Sequence, residues 1–175
     1  MVTIVSFSSR KDGNCQKISL YIKDYVQNAN IFSFSNFDIS PCGKCSYECF
    51  QNRLDCPYIA DMEYSILEAI CKSEMAYFIL PNYCDYPNAN FFTFNERSNC
   101  FFQGQAQLLE QYLNVPKRFI VVSNTGKENF RQAFEQHTNQ TPEILFLRPK
   151  EYGKNSIDGD LLLSDDVERI IRAFL

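Results

Sequence analysis

The chain has 175 residues, of which 45% are hydrophobic and 22% charged, so its composition is that of a globular protein with a full-sized core. The formal net charge of −4 argues against a nucleic-acid-binding protein, which normally carries a basic face. No apolar run reaches the roughly 18 residues of a membrane span, and no signal peptide opens the sequence. We therefore expect a cytoplasmic protein that binds neither nucleic acid nor a membrane.

Short apolar segments alternate along the chain with segments of helical periodicity. The predicted strands cover 2–7, 30–35, 75–81, 117–124 and 143–149. The predicted helices cover 15–27, a segment that starts at Asp61, 104–114, 127–137 and 164–175. Strands separated by helices imply parallel βαβ units. The prediction is one α/β domain over 1–175 with a flavodoxin-like fold: three layers, doubly wound, around a five-stranded parallel sheet in the order 2-1-3-4-5.

Two parts of the sequence carry expectations about the surface. The segment 88–105 is interpreted as irregular, and it is too rich in phenylalanine for an ordinary exposed loop. We expect it to pack against a partner subunit or to cover a ligand. The single histidine, His137, is expected at the surface near a helix end, where a cation suits the helix dipole.

The stretch SFSSRKDGNC, residues 6–15, connects the first predicted strand to the first predicted helix. Ligands of open α/β sheets bind beyond the carboxyl ends of the strands, and unpaired N–H groups at a helix start attract anions. The stretch offers several further donors, which are Ser8, Ser9, Arg10 and Asn14. It lacks both the dinucleotide glycine pattern and the P-loop ending, so the phosphate of a mononucleotide is favoured. The alternative is a polar turn with Asn14 as the helix N-cap.

The same stretch resembles the Gly-Ser-Pro-Arg-Lys-x-Gly-Asn-Thr loop of the NADPH-dependent FMN reductases and iron–sulfur flavoproteins. Those families have flavodoxin-like folds and bind the FMN phosphate with this loop. The matching residues are Ser8, Arg10, Lys11, Gly13 and Asn14. Phe7 and Cys15 depart from the pattern, which has glycine and threonine or serine there. Cys15 keeps its backbone N–H and is still expected at the phosphate.

Later segments resemble the same families. ILPNYCDYPNA (79–89) is similar to the loop that runs along the isoalloxazine ring in relatives, and SNTGKENF (123–130) stands where a third flavin loop would be. FNERS (94–98) is similar to an Asp-Arg element, with Glu96 and Arg97 in its place. The resemblance implies that seven residues meet the flavin ring, namely Pro81, Asn82, Tyr83, Cys84, Asn124, Thr125 and Gly126.

Four of the eight cysteines fall in an irregular insertion predicted at about 36–60, with the spacing Cys42-x2-Cys45-x3-Cys49-x6-Cys56. Clustered cysteines in a reducing compartment indicate metal or redox chemistry more often than disulfides. Four thiolates are the ligand set of a [4Fe-4S] cluster and also of tetrahedral zinc. Iron–sulfur flavoproteins carry a similar motif with a second spacing of two residues. The remaining interpretation is a loop without metal whose cysteines are buried or redox-labile.

The resemblance implies an FMN-dependent NAD(P)H oxidoreductase, with hydride passing from NAD(P)H to bound FMN and electrons leaving to a small-molecule or protein acceptor. No catalytic side chain is assigned, because FMN supplies the chemistry and hydride transfer needs no protein base. The alternative is a non-enzymatic electron carrier of the flavodoxin or iron–sulfur flavoprotein type. The resemblance also implies a homodimer or homotetramer.

Overall fold

The computed structural model describes residues 1–43, 45–125 and 128–175. Within these ranges five parallel strands form the sheet, and they are β1 (Val2–Ser6), β2 (Ala29–Ser33), β3 (Met75–Tyr83), β5 (Lys117–Val122) and β6 (Glu143–Leu147). A two-residue strand, β4 (Tyr86–Pro87), pairs antiparallel with the end of β3. The order β2-β1-β3-β5-β6 confirms the predicted flavodoxin-like arrangement once β4 is set aside.

In the described residues, six α-helices accompany the sheet, and they are α1 (Asn14–Val26), α2 (Met62–Cys71), α3 (Ala89–Phe102), α4 (Ala106–Asn114), α5 (Arg131–Glu135) and α6 (Asp165–Phe174). Between β2 and α2 the described chain is irregular apart from two 3₁₀ turns, Glu48–Phe50 and Arg53–Asp55. None of the helices in the part of the chain that the structure describes has the length and apolar character needed to span a bilayer.

The sheet separates two apolar cores because successive strand side chains point to opposite faces. On β1, Ile4 packs in the core shared with α1 and α6, whereas Val5 packs in the core shared with α2 and α3. On β3, Tyr77 and Phe78 divide in the same way. Both faces of the central strands are therefore buried, which explains why their sequences are continuously apolar rather than alternating.

The structure corrects the prediction for the segment 88–105, because most of it is the helix α3. Phe91, Phe94 and Phe101 lie on one face of this helix, are fully buried and belong to the core of this chain. They therefore do not form the subunit contact or the ligand cover that we expected of them. The sequence did not indicate a helix here, because Asn, Thr, Ser and Phe, all modest helix formers, make up most of the segment.

Arg97, in the third turn of α3, joins three parts of the structure from a fully buried position. Its guanidinium contacts Asp61 at 2.7 Å and Glu63 at 3.1 Å, and it donates to the carbonyl of Ser40 at 2.7 Å. Burial raises the pKa of Glu63, and the nearby charge of Arg97 opposes that rise. Through Asp61, Glu63 and Ser40, Arg97 fixes the irregular segment to α2 and α3.

His137 is buried rather than at the surface, which corrects the second expectation. Helix α5 ends at Glu135, and the next turn folds back so that the imidazole packs on Phe91 and Phe94. The His137 Nδ1 is 2.7 Å from the hydroxyl of Tyr112. Burial, reinforced by the nearby charge of Lys117, lowers the pKa of His137 to about 3, so the ring is neutral at physiological pH.

This burial predicts an acid-dependent loss of stability that a neutral residue would not show. The folded-state pKa of His137 is about 3 and the ordinary value is 6.5, so the unfolded chain binds the proton first as the pH falls. Between pH 7 and pH 5 this group should remove about 2 kcal/mol from the free energy of unfolding. Urea unfolding of wild type and His137→Gln at both pH values measures it. Equal pH dependence in the two proteins would show that the imidazole is accessible to protons.

Candidate functional site

An open cavity of about 210 Å³ lies at the carboxyl ends of β1, β3 and β5. The loops after these parallel strands meet there, at the edge of the sheet where α/β proteins bind ligands. Eleven of the twelve residues predicted at the cofactor line this one cavity, and they are Ser8, Arg10, Gly13, Asn14, Cys15, Pro81, Asn82, Tyr83, Cys84, Asn124 and Thr125. The twelfth, Gly126, lies outside the described residues.

Phe7, which stands where the related families have glycine, does not line the cavity. Its side chain is fully buried in the core on the α3 side, with its ring stacked on Phe34 at 5.1 Å. Its backbone carbonyl accepts hydrogen bonds from the side-chain amides of Asn88 and Asn90, both at 2.7 Å. The Phe7 side chain therefore packs into the core, and hydrogen bonds from the start of α3 hold the backbone of the loop in place.

The first turn of α1 borders the cavity through Gly13, Asn14 and Cys15. Gly13 is the N-cap, with φ −78° and ψ 165°, and no side chain within the described residues caps the helix. Asn14 is thus the first helical residue rather than the N-cap. The opening N–H groups of a helix have no intrahelical acceptor, and the helix dipole favours an anion beside them. Burial raises the pKa of the Cys15 thiol to about 12, so Cys15 contributes a backbone N–H but no thiolate.

The Asn14 side chain is committed to another part of the chain. Its Nδ2 donates to the carbonyls of Asn155 and Ser156 at 3.3 and 3.0 Å, and its Oδ1 accepts from the N–H of Leu161 at 2.9 Å. The amide predicted to contact a phosphate therefore ties down the segment 155–161 instead. The residues of the loop with free polar groups toward the cavity are Ser8 and Arg10.

The segment 155–161 supplies two cavity residues that the sequence analysis missed, Ser156 and Ile157. The Asn124 side chain donates to the Ser156 hydroxyl at 2.7 Å, and the Arg10 guanidinium lies 3.4 Å from the Ile157 carbonyl. The only local signal is the run of turn-forming residues NSIDGD at 155–160, which indicates a loop but not its position. Its approach to the first loop depends on contacts more than 140 residues apart in the chain.

Asn82, at the end of β3, presents an acceptor that lacks a donor. Its side chain is buried, and its Nδ2 donates to the hydroxyl of Ser123 at 3.1 Å and lies 3.5 Å from that of Thr125. No donor among the described residues reaches its Oδ1. A buried carbonyl oxygen without a donor destabilises a fold by about 1–3 kcal/mol, so a ligand N–H or O–H in the cavity would be bound favourably.

A tight turn next to Asn82 shapes the rim of the cavity. Cys84 and Asp85, between β3 and β4, both have left-handed backbone, with φ 50° and 69°. Two-residue hairpin turns with positive φ at both positions normally use Asn-Gly, so this pair is strained. The turn leaves Tyr83 and Tyr86 more than half exposed, at 57% and 51%, and Tyr83 lines the cavity. A flat apolar surface thus stands beside the polar loops.

The cysteine segment does not assemble the predicted metal centre. Within the ranges 1–43, 45–125 and 128–175, no group of three or more His, Cys, Asp or Glu side chains has the geometry to hold a metal ion. Of the four predicted ligands, Cys56 is buried in the core and Cys45 is half-buried. Cys42 and Cys49 instead approach Cys100 of α3. The structure therefore gives no support to a [4Fe-4S] cluster or to zinc at Cys42, Cys45, Cys49 and Cys56.

No protein-family model matches the sequence, and no curated protein is similar to it in sequence. Solved structures do share its fold. The Trp repressor binding protein from Bacillus subtilis has a TM-score of 0.64 and 15% identity, over 100% of this chain and 97% of that one. FerB, a flavoenzyme NAD(P)H:(acceptor) oxidoreductase from Paracoccus denitrificans, has a TM-score of 0.58 and 13% identity, over 99% and 93%. An NADH:FMN oxidoreductase, EmoB, in its apo form has a TM-score of 0.57 and 11% identity, over 99% and 87%. The resemblance to flavodoxin-like FMN reductases is thus confirmed at the level of the fold.

The first loop and the segment 155–161 touch at Asp12 and Gly159. This contact predicts that adding one methyl group at Gly159 strongly lowers the stability of the fold. A Cβ at Gly159 would collide with the backbone carbonyl of Asp12, and the φ of +68° already disfavours alanine. Gly104 has the same φ of +68° but nothing near its Cβ position, which makes it a matched control. We expect Gly104→Ala to lower the free energy of unfolding by about 1 kcal/mol and Gly159→Ala by about 3 kcal/mol. Equal losses in chemical denaturation would mean that the two loops do not touch.

Proposed function

We propose that this chain is an FMN-dependent NAD(P)H oxidoreductase and that the cavity at the ends of β1, β3 and β5 binds FMN. The observation that carries the proposal is the convergence of three loops with complementary chemistry on one cavity. The first provides anion-binding groups, the second an aromatic surface and an unpaired acceptor, and the third hydroxyl and amide groups. This combination suits a molecule with a phosphate at one end and a flat polar ring at the other.

The phosphate would lie at the start of α1. The unpaired amides of the first helical turn, the Ser8 hydroxyl and the Arg10 guanidinium supply donors and positive charge. Ser8 is buried and already accepts a hydrogen bond from the Arg10 N–H at 3.2 Å, so its hydroxyl hydrogen remains available. The Arg10 guanidinium is held near the Ile157 carbonyl, which orders a long side chain before a ligand arrives.

The ring would lie between Asn82 and Tyr83. The unpaired Asn82 Oδ1 fits an N–H at the polar edge of the isoalloxazine, and the exposed Tyr83 ring offers a surface for stacking. At about 210 Å³ the cavity is smaller than the roughly 300 Å³ or more of typical whole-ligand pockets. The cavity would therefore hold the phosphate and its chain, and the ring would reach the mouth beside Tyr83, within reach of a nicotinamide.

Bound FMN supplies the hydride-accepting chemistry, and the chain contributes position and electrostatics. Asn82 is oriented by the hydroxyls of Ser123 and Thr125, so its carbonyl is aimed before the ligand binds. Cys15 remains a neutral thiol and leaves the phosphate charge to Arg10 and the helix dipole. No side chain is needed as a proton acceptor in this scheme.

The proposal extends to how the protein operates in the cell. Electrons would leave to a small-molecule or protein acceptor through the open mouth of the cavity, in the cytoplasm. Tyr83, Tyr86 and Ile157 are exposed apolar residues. A second copy of the chain packed on them, as expected of a homodimer or homotetramer, would border one side of the flavin ring and leave the mouth open to the nicotinamide.

The phosphate site predicts a preference for FMN over riboflavin that depends on Arg10. Arg10→Ala should weaken FMN binding about 10- to 100-fold and riboflavin binding by less than twofold, because only FMN loses a charge-assisted contact. Quenching of flavin fluorescence measures both affinities. Lys23→Ala, which removes the same charge from an exposed site in the last turn of α1, is the control and should change neither. Equal affinity of the wild type for FMN and riboflavin would refute the phosphate site.

The oxidoreductase activity itself is tested by mixing FMN-loaded protein with NADPH or NADH in an anaerobic stopped-flow instrument. Bleaching of the bound flavin should be complete within seconds and saturate with nicotinamide concentration. An electron carrier of the flavodoxin type would bind FMN equally well but be reduced only over many minutes. Tight FMN binding with such slow reduction would therefore support the flavin site but indicate an electron carrier rather than an enzyme.

A further inference from the structure

Three thiols from two distant parts of the sequence converge on the outer side of α3. The Cys100 Sγ lies 3.7 Å from the Cys42 Sγ and 3.5 Å from the Cys49 Sγ. Cys42 and Cys49 belong to the irregular segment between β2 and α2, and Cys100 lies in the last turn of α3. Cys100 is thus the shared neighbour of two thiols, an arrangement that the spacing of the cysteines in the sequence does not reveal.

The three thiols border a second cavity, separate from the one at the strand ends. This cavity measures about 240 Å³, and its wall also contains Tyr47, Phe50 and Glu96. Cys49 and Cys100 are each only 5% exposed, whereas Cys42 is half-buried. A small solute entering the cavity therefore reaches Cys42 most directly.

The sulfur atoms of both pairs lie close to bonding distance. Bonded sulfurs are about 2.0 Å apart, so the Cys42–Cys100 pair must close by about 1.7 Å. Two of the other thiols are remote from this cluster, whereas Cys45 is close enough to raise the pKa of Cys42. Cys15 lies in the core on the α1 side of the sheet, and Cys84 is exposed in the turn at the rim of the first cavity.

We propose that Cys42, Cys49 and Cys100 form a peroxide-oxidised thiol triad in which Cys42 is attacked first and Cys100 resolves it. The Cys42 sulfur attacks hydrogen peroxide, breaks its O–O bond and becomes a sulfenic acid, with release of one water. The Cys100 sulfur then displaces the hydroxyl group, forming the Cys42–Cys100 disulfide and a second water. Two thiols lose two electrons and two protons in total, and the peroxide accepts them.

Cys49 gives the triad a second state. As a thiolate it can attack the Cys100 sulfur, form a Cys49–Cys100 disulfide and release Cys42, with no net change in oxidation state. The new disulfide joins the two buried members of the triad, so it is shielded from reductants. Cys42 is then free to react with another molecule of peroxide.

The environment of the triad sets how fast it reacts. Burial raises the pKa of Cys42, and burial together with its sulfur neighbours raises the pKa of Cys100. Only the thiolate is nucleophilic, so the triad reacts slowly at neutral pH. The rate of disulfide formation should rise about tenfold per pH unit between pH 7 and pH 8.5.

The experiment treats purified protein with a small excess of hydrogen peroxide, alkylates the remaining thiols and maps the peptides by mass spectrometry. The wild type should yield the Cys42–Cys100 linkage first and Cys49–Cys100 later. Cys49→Ser should stop at Cys42–Cys100. Cys100→Ser should form neither and should accumulate Cys42 sulfenic acid, trapped by dimedone at least fivefold above the wild type. Cys71→Ser, a buried helix cysteine outside the triad, is the control and should behave like the wild type.

The wild-type peptide map decides the proposal even if Cys100→Ser does not fold. Oxidation confined to the exposed Cys84, or a loss of two thiols with Cys42 and Cys100 both still free, would overturn it. A folded Cys100→Ser protein that forms an intrachain disulfide at the wild-type rate would overturn it as well. The thiol chemistry does not depend on the proposed flavin function, so protein freed of any ligand should give the same map.

Discussion

The parallel register of the three central strands is the constraint on which the rest of the site depends. Ser6 at the end of β1 pairs with Ile79, and Pro81 near the end of β3 pairs with Val122 at the end of β5. The loops after these strands therefore begin at nearly the same height along the sheet and lie next to one another. Because both faces of the strands are buried, a one-residue slip would exchange the two cores, so the register is firmly determined. The cavity follows from the sheet rather than from any feature of the loops alone.

The irregular segments are attached to this frame by buried polar contacts rather than by further secondary structure. Arg97 holds the cysteine segment through Asp61 and Ser40, and the amides of Asn88 and Asn90 hold the Phe7 carbonyl. All of these contacts involve α3 or the turn before it. The start of helix α3 thus contacts the first loop of the site, and its last turn carries Cys100 of the thiol triad. The described residues of the helix do not line the cavity at the strand ends. Removing one partner of such a buried pair would leave a charge or an amide unsatisfied, so these contacts contribute to holding the irregular segments in place.

The sequence predicted the features that depend on local patterns. Five strands, their order and the polar first loop follow from apolar runs, helical spacing and the chemistry of strand ends, and eleven predicted cofactor residues lie around one cavity. Features set by long-range packing escaped it. The role of Asn14 depends on residues 155–161, and the thiol triad depends on Cys100, which is 51 positions after Cys49. The prediction that His137 lies at the surface was wrong because aromatic rings of α3 bury it. The sequence did not indicate that helix, since its residues have modest helix propensity.

The Asn14 side chain has a consequence for how the protein matures. Among the described residues, both ends of its amide are satisfied by backbone groups between Asn155 and Leu161, so the loop that precedes α1 acquires this support from residues more than 140 positions later in the chain. A ribosome delivers Leu161 147 residues after Asn14, and at typical rates of about 5–20 residues per second the interval is about 7–30 seconds. During that time the nascent sheet can form around β1 and β3 while the first loop remains unclamped. The site is therefore completed only when the segment 155–161 has been made, after the strands that carry it.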